Sequence, residues 1–202
     1  MITKLMRKVA LLLILSASIA QTANASDDAE AGKALAYTCL GCHGIEGYRN
    51  AYPSYRVPKL GGQKAAYLVA ALNGYRNGTR QHPTMSGQAS SLSDEEIEDV
   101  AAYLASIGGD TVASGGSETA SFDKAAACAA CHGKNGISVN AQWPTLAGQH
   151  EDYLQRALAS YRDGSRSDPI MGAQAALIEE ADVAVLAKYF ASLDGLETTK
   201  PE

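Results

Sequence analysis

Cys39-Leu40-Gly41-Cys42-His43 and Cys128-Ala129-Ala130-Cys131-His132 are the stretches of this chain whose residue types and spacing can do chemistry. Two thiols three positions apart fall on one helical turn, so both can bond to neighbouring positions of a single planar group. The histidine that follows then lies beneath that group, with a ring nitrogen directed at a metal. This is the attachment pattern of c-type haem. It predicts thioether links from Cys39, Cys42, Cys128 and Cys131, axial ligation of iron by His43 and His132, and two covalent haem c groups. The two motifs use every cysteine in the chain. Other chemistries of the same residues are weaker. A thioredoxin-like pair has no need of the histidine and sits in a βαβ context that this sequence lacks. One zinc would require the two motifs, 89 residues apart, to close around it. Disulfides between the two halves remain open for a chain without haem.

The sixth ligand decides what such an iron does. Beyond residue 25 only two methionines occur, in Pro83-Thr84-Met85-Ser86-Gly87 and Pro169-Ile170-Met171-Gly172. A stretch rich in Gly and Pro reads as a loop, a poor place for core filler and a good one for a thioether ligand. Met85 and Met171 are therefore the expected axial partners of His43 and His132. His82 aligns with Asp168 and His150 with Lys64, so neither histidine recurs, and both are expected at the surface. His82, three residues before Met85, could replace it if the loop moved. His/Met ligation raises a reduction potential and fills both axial positions, which suits electron transfer and leaves no place for substrate.

The elements that must position these groups come twice. Pro58-Lys59-Leu60-Gly61-Gly62-Gln63 returns as Pro144-Thr145-Leu146-Ala147-Gly148-Gln149, and Tyr75-Arg76-Asn77-Gly78-Thr79-Arg80 as Tyr161-Arg162-Asp163-Gly164-Ser165-Arg166, both at an offset of 86 residues. The first copy has a longer loop around residues 48–55. Two copies mean a duplicated domain rather than a solenoid. Each half reads as helical. Ser26-Asp27-Asp28 can cap a helix running into Cys39. Tyr67, Leu68, Ala71, Leu72 and Tyr75 have helical spacing with Gly78 as a stop, and Tyr153, Leu154, Ala157, Leu158 and Tyr161 repeat it before Gly164. Ser93-x-x-Glu96 is a capping box, and Asp182, Val183, Leu186, Tyr189 and Phe190 form the matching last helix. No alternating strand pattern stands out. Each half has few large apolar residues and so needs a non-protein staple, which haem would supply.

The N-terminus places Lys4, Arg7 and Lys8 before an apolar run at 9–20 and an Ala23-Asn24-Ala25 site, the order of a cleaved secretory signal peptide over residues 1–25. The run is too short and too diluted for an uncleaved anchor. That segment holds three of the 17 basic residues and none of the 22 acidic ones, so the remainder carries 14 against 22, a net charge of −8. Such a chain is not drawn to nucleic acid or anionic lipid; a redox partner with a basic docking patch suits it better. Domains are expected at 26–108 and 122–202, joined by a Gly/Ser-rich linker at 109–121. No acid/base pair or phosphate loop stands out, and Gly61-Gly62 lacks the strand a nucleotide site needs.

Together these duplicated motifs resemble the bacterial di-haem cytochromes of the c4 type, over essentially the whole chain beyond residue 25. Each half separately resembles a class I cytochrome c. The resemblance implies an all-α fold of two tandem class I cytochrome c-like domains, each wrapped around one covalent haem and related by a pseudo-twofold axis, with the haem edges close at the interface. It implies that the carbonyls of Pro58 and Pro144 orient the proximal imidazoles. It also implies a periplasmic electron carrier, sometimes loosely associated with the inner membrane, working between a bc1-type complex and a terminal oxidase such as the cbb3 type. Arg76, Arg80, Arg162 and Arg166 either contact haem propionates or serve packing and surface charge. Trp143 faces Val57 as its counterpart, so the two pockets differ. Two other functions compete. One is the cytochrome subunit of a redox enzyme such as a flavoprotein dehydrogenase. The other is a di-haem peroxidase or gas sensor, which requires an open iron. Replacing Met171 by Ala should lower one reduction potential, leave the other nearly unchanged and open one iron to carbon monoxide. A redox titration in which neither potential moves would exclude Met171 as a ligand.

Overall fold

The computed structural model of the chain describes residues 25–108 and 122–199. The expected linker, and all but the last residue of the expected signal segment, lie outside the described residues. The first half contains α1 (Ala25–Leu35), α2 (Tyr37–His43), α3 (Ala65–Asn77), α4 (Pro83–Ser90) and α5 (Asp94–Ser106). The second contains a 3-10 turn (Asp123–Ala125), α6 (Ala126–His132), α7 (Glu151–Asp163), α8 (Pro169–Leu177) and α9 (Glu180–Ala191). Among the described residues, strand-like pairing is limited to three isolated bridges.

Local chemistry sets most helix ends. α3 and α7 stop where Gly78 and Gly164 take φ of 82° and 78°, a left-handed conformation that a side chain would oppose. At the start of α5 the Ser93 hydroxyl accepts from the Glu96 N–H at 3.1 Å, while the Ser93 N–H donates to the Glu96 carboxylate at 2.7 Å. This is the expected capping box. Ser26, Asp27 and Asp28, expected as caps, lie within α1.

One expectation is corrected. The Gly/Pro-rich stretches around Met85 and Met171 are not loops but the short helices α4 and α8. Proline stands first in each. It has no N–H to leave unbonded there and its φ is already helical, so it starts the helix rather than breaking it.

Each half buries its own small core. The first gathers Ala36, Leu40, Leu68, Val100, Ala101, Tyr103 and Leu104; the second gathers Ala125, Ile137, Ala147, Leu154, Leu186, Ala187, Phe190 and Leu193. Alanines make up a good part of both, and Cys39 and Cys128 pack against them. In the second half Phe122 and Phe190 flank Tyr189, with ring centroids 4.9 and 5.1 Å apart. In the first, α1 packs along α5 so closely that a Cβ on Gly32 would lie 2.0 Å from the Asp99 carbonyl oxygen. Gly32→Ala should force the two helices apart and cost roughly 1–3 kcal/mol, the usual penalty of overpacking. A lowered denaturant midpoint with unchanged slope would register it.

Candidate functional site

α2 and α6 each carry one Cys-x-x-Cys-His motif, with the histidine as the last helical residue. His43 and His132 are buried, at 8% and 6% exposure. His43 Nδ1 lies 2.7 Å from the Pro58 carbonyl oxygen and His132 Nδ1 2.8 Å from that of Pro144. A carbonyl oxygen only accepts, so each Nδ1 carries the proton and donates, and the lone pair is on Nε2. Burial drives both imidazoles below their ordinary pKa, against the pull of the bonds to Pro58 and Pro144. Both are therefore neutral at neutral pH, with Nε2 available to a metal. The four cysteines are half-buried, and no disulfide joins them. Burial pushes Cys39 and Cys128 above the usual thiol pKa. Among the described residues no group of three or more His, Cys, Asp and Glu side chains is placed to hold a metal ion, so the two motifs do not close around one zinc.

Met85 and Met171 occupy the same place in the first turn of α4 and α8, and their backbones are held alike. The Met85 N–H donates to His82 Nδ1 at 3.3 Å. The Met171 N–H donates to Asp168 Oδ1 at 2.8 Å, which also accepts from the Ile170 N–H at 3.0 Å. His82 and Asp168, unlike in type, are thus equivalent caps of the methionine helices. His82 Nε2 faces Asn50 Oδ1 at 3.2 Å, so Nε2 carries its proton and Nδ1 is left as the acceptor. His150 stands half-buried at the start of α7 and makes no such cap.

The two halves meet through a face built from the repeat itself. The Gln81 N–H donates to the Ser165 carbonyl at 2.8 Å, and the equivalent Ser167 N–H to the Thr79 carbonyl at 2.7 Å. Arg80 and Arg166 form an antiparallel bridge between these two bonds. Gln63 and Gln149 exchange further bonds across the same face, and every one has its mirror image, as an isologous interface requires. Several contacts break the mirror. Asp152 accepts from the Arg56 N–H at 3.2 Å and pairs with Arg49 at 2.9 Å, so the longer first-half loop reaches the start of α7. The C-terminal segment crosses back, with Glu197 bridging Gly61 and the buried Thr199 hydroxyl donating to the His43 carbonyl at 3.3 Å. Lys59 Nζ donates to the Gly148 carbonyl at 2.8 Å.

The four candidate arginines divide into two kinds. Arg76 donates to the Leu92 carbonyl at 3.2 Å and pairs with Asp94; Arg162 donates to the Ala175 carbonyl at 2.8 Å and pairs with Glu180. Both are committed within their own half. Arg80 and Arg166 are buried at the interface, at 8% exposure each. Arg80 lies over the Tyr75 ring at 4.6 Å and Arg166 over Tyr161 at 4.5 Å. Arg166 also donates to the Tyr67 hydroxyl at 2.5 Å. Among the described residues neither has a carboxylate partner, and Arg80 Nε has no acceptor. Tyr67 registers this positive potential: burial acts to raise its pKa, but Arg166 and Arg80 prevail and bring it down to about 8.

A cytochrome c family model matches residues 29–108 and again 120–194. The cytochrome c4 of Pseudomonas aeruginosa is 32% identical, over 93% of this chain and 100% of that protein. The chain belongs to the cytochrome c4 family. It is a di-haem cytochrome c, an electron carrier with two covalently bound haem c groups. Reduced recombinant cytochrome c4 from Pseudomonas stutzeri superposes with a TM-score of 0.63 at 30% identity, over 84% of this chain and 98% of that one. The thiosulfate dehydrogenase electron acceptor of Stutzerimonas stutzeri is 36% identical over 81% of this chain and 82% of that protein. A thiosulfate dehydrogenase from Marichromatium purpuratum, in its as-isolated form, superposes with a TM-score of 0.65 at 30% identity; this chain spans 40% of it.

The residues present fit the haems of a cytochrome c4. Each half offers two thiols, a neutral buried imidazole and one thioether. Between the halves, two buried guanidiniums and an orphaned Nε suit the acidic groups that haem carries. Sequence reasoning assigned no role to Gln63, Gln149, Asp152 or Thr199. For the glutamines a signal existed, since both recur in the Pro-x-Leu-x-Gly-Gln repeat; Asp152 and Thr199 have no repeat counterpart to betray them. Arg166→Met removes a buried cation and should lower the reduction potential by roughly tens of millivolts, the scale of one charge acting at an effective dielectric of about 20. Spectroelectrochemistry of the intact protein measures that shift.

Proposed function

We propose that this member of the cytochrome c4 family is a periplasmic carrier moving electrons between a bc1-type quinol-oxidising complex and a terminal oxidase. The cleaved signal is residues 1–25, the domains are 26–108 and 122–202, and the linker is 109–121. Cys39 and Cys42 bind one haem and Cys128 and Cys131 the other; His43 with Met85, and His132 with Met171, are the axial pairs. Haem iron, so held, supplies a one-electron couple. The observation that carries this reading is the repeated ligand geometry: in each half, a buried histidine with its Nδ1 proton donated to a proline carbonyl, and one methionine whose helix is started by proline and capped by a side chain.

The chain's own groups have separable tasks. The Pro58 and Pro144 carbonyls fix the tautomer and ring direction of the histidines, which raises the basicity of Nε2. His82 and Asp168 anchor the methionine backbones. The paired cores keep water from the buried faces of α2 and α6, and the interface holds the two domains at a constant separation. Among the described residues no helix is long and apolar enough to cross a membrane.

A second reading is favoured by the relative named as a thiosulfate dehydrogenase electron acceptor: this chain would accept electrons from a dehydrogenase, as an enzyme's cytochrome subunit. The deciding experiment takes visible spectra of the purified reduced protein before and after carbon monoxide, with haem counted against protein. Two haems, no response to carbon monoxide and no partner in fixed stoichiometry are expected for the carrier. A response at either haem, or a co-purifying dehydrogenase, would replace it with the enzyme reading.

A further inference from the structure

Gln63 and Gln149 are among the most buried polar side chains of the molecule, at 5% and 4% exposure, and both reach into the opposite domain. Gln149 Oε1 accepts from the Lys59 N–H at 3.0 Å, and its Nε2 donates to the Lys59 carbonyl at 3.0 Å. In mirror image, Gln63 Oε1 accepts from the Thr145 N–H at 2.9 Å, and its Nε2 donates to the Thr145 carbonyl at 3.0 Å. The Lys59 N–H belongs to the same peptide group as the Pro58 carbonyl, and the Thr145 N–H to the same peptide group as the Pro144 carbonyl. Those are the carbonyls that accept the Nδ1 protons of His43 and His132. One peptide therefore links His43 to Gln149, and one links His132 to Gln63.

A peptide group is a resonance-coupled donor and acceptor. When its N–H is bonded, electron density moves towards its oxygen, which becomes a stronger acceptor; hydrogen bonds in such chains strengthen one another by about 10–30% each. A stronger bond at Nδ1 gives the imidazole more anionic character and makes Nε2 a better donor to oxidised iron. The two-point grip of each amide also fixes the plane of the linking peptide, and so the direction of the histidine ring.

We propose that Gln63 and Gln149 are crossed positioning residues, each setting through one peptide group the histidine, and so the reduction potential, of the haem in the opposite domain. The proposal rests on His43 and His132 being the proximal ligands. It makes the interface part of both haem sites: a change in docking on one side reaches the iron of the other without passing through the haem faces.

The test uses the intact di-haem protein, titrated potentiometrically with each haem followed by its own NMR signals. Gln149→Met, similar in length and volume, removes both bonds to Lys59. It should raise the potential of the haem held by His43 and leave the other in place, a change of about two- to fivefold in the ratio of oxidised to reduced haem, or roughly 20–40 mV at ~59 mV per tenfold. Gln63→Met should do the same to the haem held by His132. Gln149→Glu and Gln63→Glu keep the acceptor and make it the stronger one of a carboxylate, so they should bring the crossed haem below its unsubstituted potential and leave the other in place; they carry the test alone if the methionine variants do not fold. Shifts confined to the haem of the substituted domain, equal shifts at both haems, or none would overturn the proposal. Failure of the ligation reading looks different: the unsubstituted protein would bind carbon monoxide or lack thioether-ligated haem, whereas failure of the crossed link leaves ligation intact.

Discussion

A buried imidazole must place one N–H somewhere, and in both domains of this protein it goes to the carbonyl of a proline. Everything around the haem sites depends on that bond. It selects the tautomer and, in a ring that burial keeps neutral, leaves Nε2 as the only position through which His43 or His132 can meet iron. It also needs the histidine at the end of a short helix and the proline on a segment that returns beneath it. The loop after α2 and the loop after α6 serve that need, although they differ by three residues in length.

The protein's own cores are small for domains of this size, and alanine fills positions that a self-sufficient core would give to larger side chains. A haem would suit the room this leaves, and Cys39 and Cys128 pack against the two cores. The interface follows the opposite logic. It is polar, formed from backbone exchange and two glutamine clamps, and it buries two guanidiniums against tyrosine rings rather than carboxylates. Burying such a pair is unfavourable unless something acidic joins it.

Duplication explains the symmetry of the interface, and the departures from symmetry explain how the copies became a unit. The longer loop that ends near Tyr55 is not slack: Arg49 and Arg56 reach Asp152 from it. The C-terminal segment closes over the first domain through Glu197 and Thr199. These contacts act in one direction only, so the surroundings of the two histidines differ although the motifs repeat.

Residue order by itself determined the chemistry and most of the helices. Cys-x-x-Cys-His is a local motif, glycine stops and a capping box act within a few residues, and repetition exposes itself by alignment; each was legible because its physics is short-range. The methionine helices were misread for a local reason, since proline after a capping residue starts a helix as readily as it marks a loop. What tertiary structure alone decided lies across the interface. Arg76 and Arg80 look alike in sequence, yet one pairs with Asp94 on its own domain and the other is buried against the partner domain. Gln63 and Gln149 are visible as repeats, but a side-chain amide has no role until the fold brings a backbone from more than 80 residues away within 3.0 Å of it. Such contacts depend on how two whole domains dock, and no short window of sequence contains that information.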